Sequence, residues 1–502
     1  MLKNLNHFRE LTNLSNLEVL YLSYNDITGE ISPFIWTLTS LTALSIGWNK
    51  LNGTLPAGLC KLKNLQELDL GGNSFEGNLL SCLSNLTSLR ALDLSKNNFV
   101  GTIPSTLFLN LYSLENSLEG PIPMGFCKLH ELKFLDLSRN NFIGPMPSCV
   151  DLSRLRYLHL ERNGFTGPIP NVISRSLSLV ILDMRNNNLS RGIPSWMSSL
   201  SNLRILLLKG NNLDGTIPFE LCQLDKIRII DLSNNNLFGP IPSCLKNIPF
   251  GMKDALDDTF STRDYSYENH HPLFPYLYGN GFHLFQLSIS DLILHEKEEV
   301  EFISKSRSQS YGGNILYFMS GMDLSGNKLT GPIPLEIGNL SGIHTLNFSY
   351  NHLNGSIPKT FSGLENIESL DLSHNRLSGQ IPTQLIELNF LSVFKVAYND
   401  LSGKTPERKV QFATFDQSSY EGNPLLCGPP LERNCTSTGV LPSMLPPSSD
   451  HEENDLFKLI FLWSFAAAYV VAFLGSIAFL YFNTYFQSLL SSFIYKYVLS
   501  HR

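Results

Sequence analysis

The chain has 502 residues, of which 43% are hydrophobic and 16% charged, so it can bury a substantial core and is not disordered by composition. Its formal net charge is -7 and it has no run of lysine or arginine, which excludes the basic surface of a nucleic-acid-binding protein. No phosphate-binding loop, nucleophile elbow or HExxH phrase occurs, so the sequence predicts no enzyme, no cofactor and no metal.

An asparagine recurs about every twenty-four residues and closes a phrase of the form LxxLxLxxN, as in residues 17–25. This period and leucine pattern indicate a leucine-rich-repeat solenoid. The alternating leucines predict a short strand with leucines inward, and each asparagine amide is expected to pair with backbone groups of adjacent coils. The recurrent asparagines are Asn25, Asn49, Asn73, Asn97, Asn140, Asn163, Asn187, Asn211, Asn235, Asn327, Asn351, Asn375 and Asn399.

Each asparagine is followed by a phrase of the form LxGxIP, which places a glycine at a turn and a proline after a short extended segment. Here the chain resembles plant extracellular leucine-rich-repeat proteins, and the resemblance implies a second small sheet and a twisted superhelix. The predicted fold is an α/β-type repeat solenoid with a parallel concave sheet, plus one transmembrane helix. We predict repeats 1–10 in residues 1–248 and repeats 11–14 in residues 319–406. The fifth coil, about 105–123, is shortened and lacks the expected strand leucines.

Six of the eight cysteines form three pairs that are twenty-two residues apart. Both members of a pair lie near the proline of successive coils, so we expect three disulfides on the convex side. Free buried cysteines are the alternative. The pairs are Cys60 with Cys82, Cys127 with Cys149, and Cys222 with Cys244.

Residues 249–318 interrupt the repeats with a segment rich in aromatic side chains. The segment resembles the island domain of plant receptor-like proteins, which is followed by four coils, as it is here. The resemblance places basic and tyrosine residues of the island exit at Lys305, Arg307 and Tyr311. Alternatively, the aromatic residues only cover the coil beneath. The adjacent His270 and His271 have no partners at a metal-binding spacing and are interpreted as solvated loop residues.

The chain after the last coil divides into four segments. Residues 407–441 hold Cys427 and Cys435, which look like the C-terminal disulfide cap of plant ectodomains. Residues 442–458 are an acidic juxtamembrane stretch. Residues 459–482 have no charge and are long enough to cross a bilayer, which predicts a transmembrane helix rather than a buried core helix. Residues 483–502 are then a short cytoplasmic tail. A small-residue face for helix packing is formed by Ser464, Ala468, Ala472 and Ser476.

N-glycosylation sequons precede the predicted span and are compatible with secretion. The acceptor asparagines are Asn13, Asn52, Asn85, Asn188, Asn339, Asn347, Asn354 and Asn434.

Two sets of outward residues on the concave strands are candidates for ligand contact, although such residues are often only a solvated strand face. The large or charged set is Tyr21, Tyr24, Trp48, Arg139, His159, Glu161, Arg162, Arg185 and Lys209. The second set is an outward apolar row over five successive coils, made of Phe134, Tyr157, Ile181, Ile205 and Ile229.

The order of segments is similar to that of plant leucine-rich-repeat receptor-like proteins, which lack a kinase of their own. The resemblance implies a single-pass plasma-membrane receptor with an extracellular ectodomain. Such a receptor binds a peptide, protein or glycan ligand and signals in defence or development through an adaptor receptor-like kinase and a co-receptor kinase. The family's signal peptide and N-terminal cysteine cap are not seen, so we expect an N-terminal truncation. The alternatives are a wall protein that inhibits enzymes and a truncated fragment without function.

Overall fold

The computed structural model describes residues 14–86, 88–89, 91–104, 111–113, 116–124, 134–148, 152–250, 299–305, 307–312, 315–316 and 318–435. The predicted transmembrane helix at 459–482, its small-residue face and the tail lie outside these residues. So do most of the island and the two adjacent histidines. Within the described ranges, no helix has the length and apolar character that a bilayer crossing requires.

Short parallel strands form the concave face, one strand in each predicted coil, and all strands are numbered here in chain order. A five-stranded sheet comprises β1 (Val19–Tyr21), β3 (Ala43–Ser45), β5 (Glu67–Asp69), β7 (Ala91–Asp93) and β9 (Leu111–Ser113). A nine-stranded sheet comprises β11 (Phe134–Asp136), β13 (Tyr157–His159), β15 (Ile181–Asp183), β17 (Ile205–Leu207), β18 (Ile229–Asp231), β22 (Gly321–Asp323), β24 (Thr345–Asn347), β26 (Ser369–Asp371) and β28 (Val393–Lys395).

The LxGxIP phrases form a second set of parallel strands beside the first. One sheet has eight strands: β2 (Thr28–Gly29), β4 (Lys50–Thr54), β6 (Ser74–Asn78), β8 (Asn98–Thr102), β10 (Ser117–Gly120), β12 (Asn141–Gly144), β14 (Gly164–Gly167) and β16 (Asn188–Leu189). The other has six: β19 (Phe238–Gly239), β23 (Lys328–Pro332), β25 (His352–Gly355), β27 (Arg376–Gly379), β29 (Asp400–Lys404) and β30 (Leu425–Cys427). These additional sheets are the feature that the plant-type phrase predicts.

Short 3₁₀ helices close the convex side, in most coils directly after the proline of the phrase. Their bounds are Pro33–Thr37, Ala57–Lys61, Ser81–Asn85, Asn171–Arg175, Ser195–Ser199, Phe219–Gln223, Ser243–Asn247, Leu335–Asn339, Lys359–Gly363, Thr383–Glu387, Val410–Ala413 and Gln417–Ser419. The inward leucine, isoleucine and phenylalanine side chains of all these elements form one continuous core that runs along the solenoid. No coil could bury these side chains alone, so each coil depends on its neighbours.

The asparagines join each coil to the preceding one through buried hydrogen bonds. The Oδ1 atom of Asn351 accepts from the amide of Leu329, and its Nδ2 group donates to the carbonyls of Leu324, Phe348 and Ser349 at 3.0 to 3.2 Å. The same four bonds recur in most coils, so these side chains satisfy backbone groups that would otherwise be buried without partners.

The fifth coil is shortened in sequence but keeps a concave strand. Strand β9 pairs with β7, although the register shifts between them. Asn116 takes the place of the recurrent asparagine, because its Oδ1 accepts from Phe99 and its Nδ2 donates to Leu94. The coil is shorter than the others, and the hydrogen-bonded ladder between concave strands breaks after β9.

The structure joins three cysteine pairs. Cys60 bonds to Cys82 and Cys222 bonds to Cys244, with Cα atoms 5.9 and 5.7 Å apart. Cys427 bonds to Cys435 in the cap, with Cα atoms 5.2 Å apart. The expected pair of Cys127 and Cys149 lies outside the described residues.

The solenoid continues across the insertion as if the insertion were absent. Strand β18 pairs directly with β22, which places Asp231 beside Asp323. Both carboxyl groups are buried, and each accepts hydrogen bonds from a serine two residues later. Burial and the charge of Asp231 raise the pKa of Asp323 to about 7, and burial raises the pKa of Asp231.

We predict that Asn351→Ala lowers the free energy of unfolding by about 3 kcal/mol, because the buried amide of Leu329 and several carbonyls lose their partner. Asn366→Ala is the matched control, because Asn366 also donates to another coil, to the carbonyl of Ser341, but from an exposed position. It should cost less than about 1 kcal/mol. Urea unfolding measures both changes, and equal losses would contradict the role given to the buried asparagine.

We predict that Asp323→Asn stabilises the protein more at pH 8 than at pH 4, by on the order of 1 kcal/mol. The raised pKa means that the folded wild type retains a proton that the unfolded chain releases, so its stability falls as pH rises from about 4 towards about 7. Asparagine fits this position, because the equivalent residue of the next coil is Asn347. Its Oδ1 atom accepts hydrogen bonds from the amide and hydroxyl of Ser349, as Asp323 does from Ser325.

Thermal unfolding across this pH range measures the effect. Asp371→Asn is the control, because Asp371 has the same serine contacts but is only half-buried. A stability difference between wild type and Asp323→Asn that does not change with pH would refute the raised pKa of Asp323.

Candidate functional site

A β-hairpin from the end of the insertion lies on the concave sheet. Strand β20 (Glu299–Ser304) pairs antiparallel with β21 (Arg307–Gly312), and Lys305 in the turn has a positive φ of 52°. Alternation along β20 directs Val300 and Phe302 towards the sheet, where both are buried. The insertion therefore covers part of the surface that the sequence marks as a candidate binding face.

The hairpin buries the apolar row of the concave sheet. Val300, Phe302 and Leu316 form one cluster with residues of the repeats, namely Tyr157, Val180, Ile181, Ile205, Leu207 and Ile229. The expectation that Tyr157, Ile181, Ile205 and Ile229 form an exposed patch is wrong, because they are at most 4% exposed. Phe134 begins strand β11, but its side chain lies outside the described residues.

Gly321 makes room for the ring of Phe302. It occupies the position in β22 that Ile229 occupies in β18, and a Cβ atom at this position would lie only 2.7 Å from two ring carbons of Phe302. The coil that follows the insertion thus lacks a side chain at the place where the hairpin needs space.

Polar contacts connect the hairpin to coils on both sides of the insertion. Before it, Arg162 bonds to the Glu301 carboxylate at 2.9 Å, and Arg185 donates to the Glu301 carbonyl oxygen. After it, Lys305 bonds to Glu368 at 2.9 Å. The hydrogen bond from Ser308, with the charges of Arg185 and Arg162, lowers the pKa of Glu301. Glu301 therefore stays ionised and continues to bind both arginines.

A buried charged cluster lies next to the apolar row. His159 ends β13, Glu161 follows two residues later, and Asp183 lies beside His159 in the adjacent strand. Arg185 forms a two-pronged ion pair with Asp183, at 2.6 Å for the shortest contact. Burial, together with the charges of Asp183 and Asp136, raises the pKa of Glu161 well above its usual value.

The concave face near the N-terminus has no such cover among the described residues. Tyr21, Tyr24 and Trp48 are 48%, 58% and 39% exposed. The rings of Tyr24 and Trp48 stack with centroids 5.8 Å apart, and the Lys96 ammonium lies 4.7 Å from the Trp48 ring centroid. These side chains form an aromatic platform with a neighbouring cation, which we call the N-terminal platform (Tyr21, Tyr24, Trp48 and Lys96).

A second aromatic group lies on the last coils and was missed by the sequence reasoning. The His374 ring stacks between Tyr350 and Tyr398, with centroid distances of 4.0 and 4.4 Å. All three residues directly precede a recurrent asparagine and have positive φ, as do Tyr24 and Trp48. This shared position was the signal in the sequence that could have identified them.

The other charged or aromatic candidates for ligand contact lie partly in the coils before the insertion and partly in the hairpin. Arg139 and Arg162 are exposed, and Lys209 is half-buried. In the hairpin, Lys305 and Arg307 are exposed, whereas the half-buried Tyr311 packs at the edge of the apolar cluster.

Of the sequon asparagines, Asn347 has a side chain that is already engaged. Its Nδ2 donates to Asp323 and its Oδ1 accepts from Ser349. The remaining described acceptors are exposed, namely Asn52, Asn188, Asn339, Asn354 and Asn434. Asn13 and the side chain of Asn85 lie outside the described residues.

The family model described as Leucine Rich Repeat matches residues 16–38, 64–86, 88–111, 131–151, 154–176, 178–200, 202–224 and 226–248. A second model, described as Leucine rich repeat, matches residues 320–377. The matched segments thus lie on both sides of the insertion.

Curated relatives are plant receptors. Cuscuta receptor 1 of Solanum lycopersicum is 63% identical over 185 residues, which are 36% of this chain and 16% of that protein. Receptor like protein 21 of Arabidopsis thaliana is 48% identical over 255 residues, which are 48% of this chain and 25% of that protein. The chain thus spans a quarter or less of the length of these two relatives.

Solved structures with the same architecture include the ectodomain of the Arabidopsis receptor kinase HAESA in complex with an IDA peptide hormone. It is 26% identical with a TM-score of 0.60, over 85% of this chain and 69% of that chain. HAESA with the peptide hormone IDA and the co-receptor SERK1 is 29% identical with a TM-score of 0.55, over 83% of this chain and 67% of that chain. The chain therefore carries leucine-rich repeats on both sides of the insertion, and the curated proteins it is similar to are plant receptors and receptor-like proteins.

Proposed function

We propose that this protein is a cell-surface receptor that binds an extracellular peptide on its concave face and signals through adaptor and co-receptor kinases. The observation that carries the proposal is the division of the concave face: the hairpin covers its middle, and no described residue covers the N-terminal platform. Relatives named as receptors and the peptide complexes of HAESA support the ligand class and the use of a co-receptor.

The N-terminal platform suits a peptide for two physical reasons. Its stacked rings offer rigid apolar area, which gives contact at a small cost in side-chain entropy. Strand β5, two coils after Tyr21, adds the carboxylates of Glu67 and Asp69, and these raise the pKa of Tyr21 after the larger effect of burial. Aromatic area beside these carboxylates and the Lys96 cation favours an extended peptide with apolar and charged side chains.

Residues 459–482 are proposed as the membrane anchor, with the repeats outside the cell. The disulfides support this orientation, because such bonds persist in oxidising compartments. A receptor anchored by a single helix would pass its signal by helix and ectodomain contacts with kinase partners, and the small residues of the segment suit close helix packing.

We predict that the double substitution Tyr24→Ala and Trp48→Ala weakens peptide binding about 30-fold or more, since central aromatic anchors contribute about 2 kcal/mol or more. Full-length protein is incubated with a pool of extracellular plant peptides, retained peptides are identified by mass spectrometry, and their affinities are measured.

The control for this prediction is Tyr350→Ala with Tyr398→Ala. It removes two stacked rings from the equivalent turn position in the last coils. Equal binding by wild type and the Tyr24/Trp48 variant, or equal loss in both double variants, would argue against the N-terminal platform.

We predict that the protein resists extraction from membranes by alkaline carbonate, and that deletion of 459–482 moves it to the soluble fraction. The segment has no charge over twenty-four residues, so its transfer from lipid to water is unfavourable. A deletion of 442–455 is the control and should remain with the membrane. Recovery of the wild type in the carbonate supernatant would count against the anchor.

A further inference from the structure

Three potential metal ligands meet beneath the hairpin. Parallel pairing places Asp183 directly beside His159, and Glu161, two residues after the end of β13, lies close to both. A nitrogen of His159 and one carboxylate oxygen each of Glu161 and Asp183 all lie within 4.8 Å of one another. One ion could contact all three groups after small side-chain rotations.

The cluster is largely buried, and one carboxylate oxygen in it has no hydrogen-bond partner. The side chains of His159, Glu161 and Asp183 are only 5%, 13% and 0% exposed. The Oε2 atom of Glu161 is buried and has no hydrogen-bond donor in contact, and its distance of 4.0 Å to His159 Nδ1 is too long for a hydrogen bond. A buried carboxylate oxygen in this condition is costly unless a further partner binds it.

The charges around the cluster also favour a cation. Asp136 and Asp183 both lie close enough to Glu161 to repel its charge, and Glu301 lies above them on the hairpin. Arg185 interacts electrostatically with both Asp183 and Glu161, and its shortest contact, 2.6 Å, is with Asp183. Arg162 pairs with Glu301. Asp136 and Asp183 therefore both repel a charge on Glu161, and a cation bound there would offset this repulsion.

We propose that His159, Glu161 and Asp183 form a binding site for a divalent transition-metal ion, of which Zn²⁺ fits best. One imidazole and two carboxylates are a ligand set that zinc accepts in four-coordinate sites, with a further position for water. The hard ions Mg²⁺ and Ca²⁺ prefer sites made of oxygen alone. Arg185 acts as the positioning residue, because it holds the Asp183 carboxylate in place.

The site has a structural consequence that is independent of ligand recognition. The ion would bind β13 to β15 directly below Glu301, whose carboxylate also bonds to Arg162 and approaches Arg185 within 3.8 Å. Neutralising the carboxylates would remove repulsion beneath the hairpin, so metal binding should stabilise the docked hairpin.

The test uses purified full-length protein from which metal has been removed by a chelator. Calorimetric titration with Zn²⁺ should show one saturable site per chain, and Mg²⁺ should give no such binding. His159→Gln and Glu161→Gln should each bind Zn²⁺ at least about tenfold more weakly. The control is His374→Gln, which removes a histidine from the exposed stack on the last coils and should bind like the wild type.

A second measurement needs no variant. Co²⁺ bound in a four-coordinate site gives visible absorption, which Zn²⁺ should then abolish by displacement. Absence of saturable Zn²⁺ binding, equal binding by His159→Gln and His374→Gln, or absence of a Co²⁺ signal that Zn²⁺ displaces would each overturn the proposal.

Discussion

The packing of Phe302 from the insertion against the apolar row of the concave sheet decides which surfaces of this protein can act. Without the hairpin, the outward side chains of Tyr157, Ile181, Ile205 and Ile229 would form a continuous patch, the kind of surface that indicates a binding site. With the hairpin, these four residues become part of a second core, and among the described residues the exposed aromatic side chains on the concave face include those of the N-terminal platform.

This contact is possible because the solenoid does not need the insertion in order to stack. Strand β18 pairs with β22 over a gap of about ninety residues, and Asn327 bonds to Leu237 and Leu232 as other asparagines bond to the coil before them. The hairpin then returns to the sheet and contacts coils on both sides of the gap, through Arg162 and Arg185 before it and Glu368 after it. The insertion thus joins coils that are far apart in sequence, and its removal is expected to loosen them relative to each other.

Much of the fold follows from the sequence, because each coil obeys a local rule. The leucine alternation and the asparagine period determine where each strand and turn lies and which coils stack on each other. The spacing of the cysteine pairs follows from the same period. The fifth coil departs from this rule, because its asparagine, Asn116, comes five residues early and a search at a fixed period does not find it. The hydrogen bonds depend on where the asparagine amide lies in space. A coil with fewer residues can place the Asn116 amide at the same point.

The candidate site was less predictable, because the sequence of a strand does not indicate which distant segment packs on its outward face. Ile181 and Ile205 look exposed to any argument from alternation, and their cover comes from Val300 and Phe302, about a hundred residues later. Two signals were present in the sequence: alternating apolar residues in EVEFIS, and a glycine at position 321 where the preceding coils carry isoleucine. Neither signal indicates which surface receives the hairpin, which depends on the curvature of the assembled coils.

The most direct test of the covered concave face is the rate at which a thiol reagent labels a cysteine placed beneath the hairpin. Ile205→Cys should react slowly in the native full-length protein, and Tyr21→Cys, in the open part of the same face, should react quickly. Adding Phe302→Ala to Ile205→Cys should increase its labelling rate, because the ring that covers the row is lost. Fast and equal labelling at positions 205 and 21 in the otherwise unchanged protein would contradict the account.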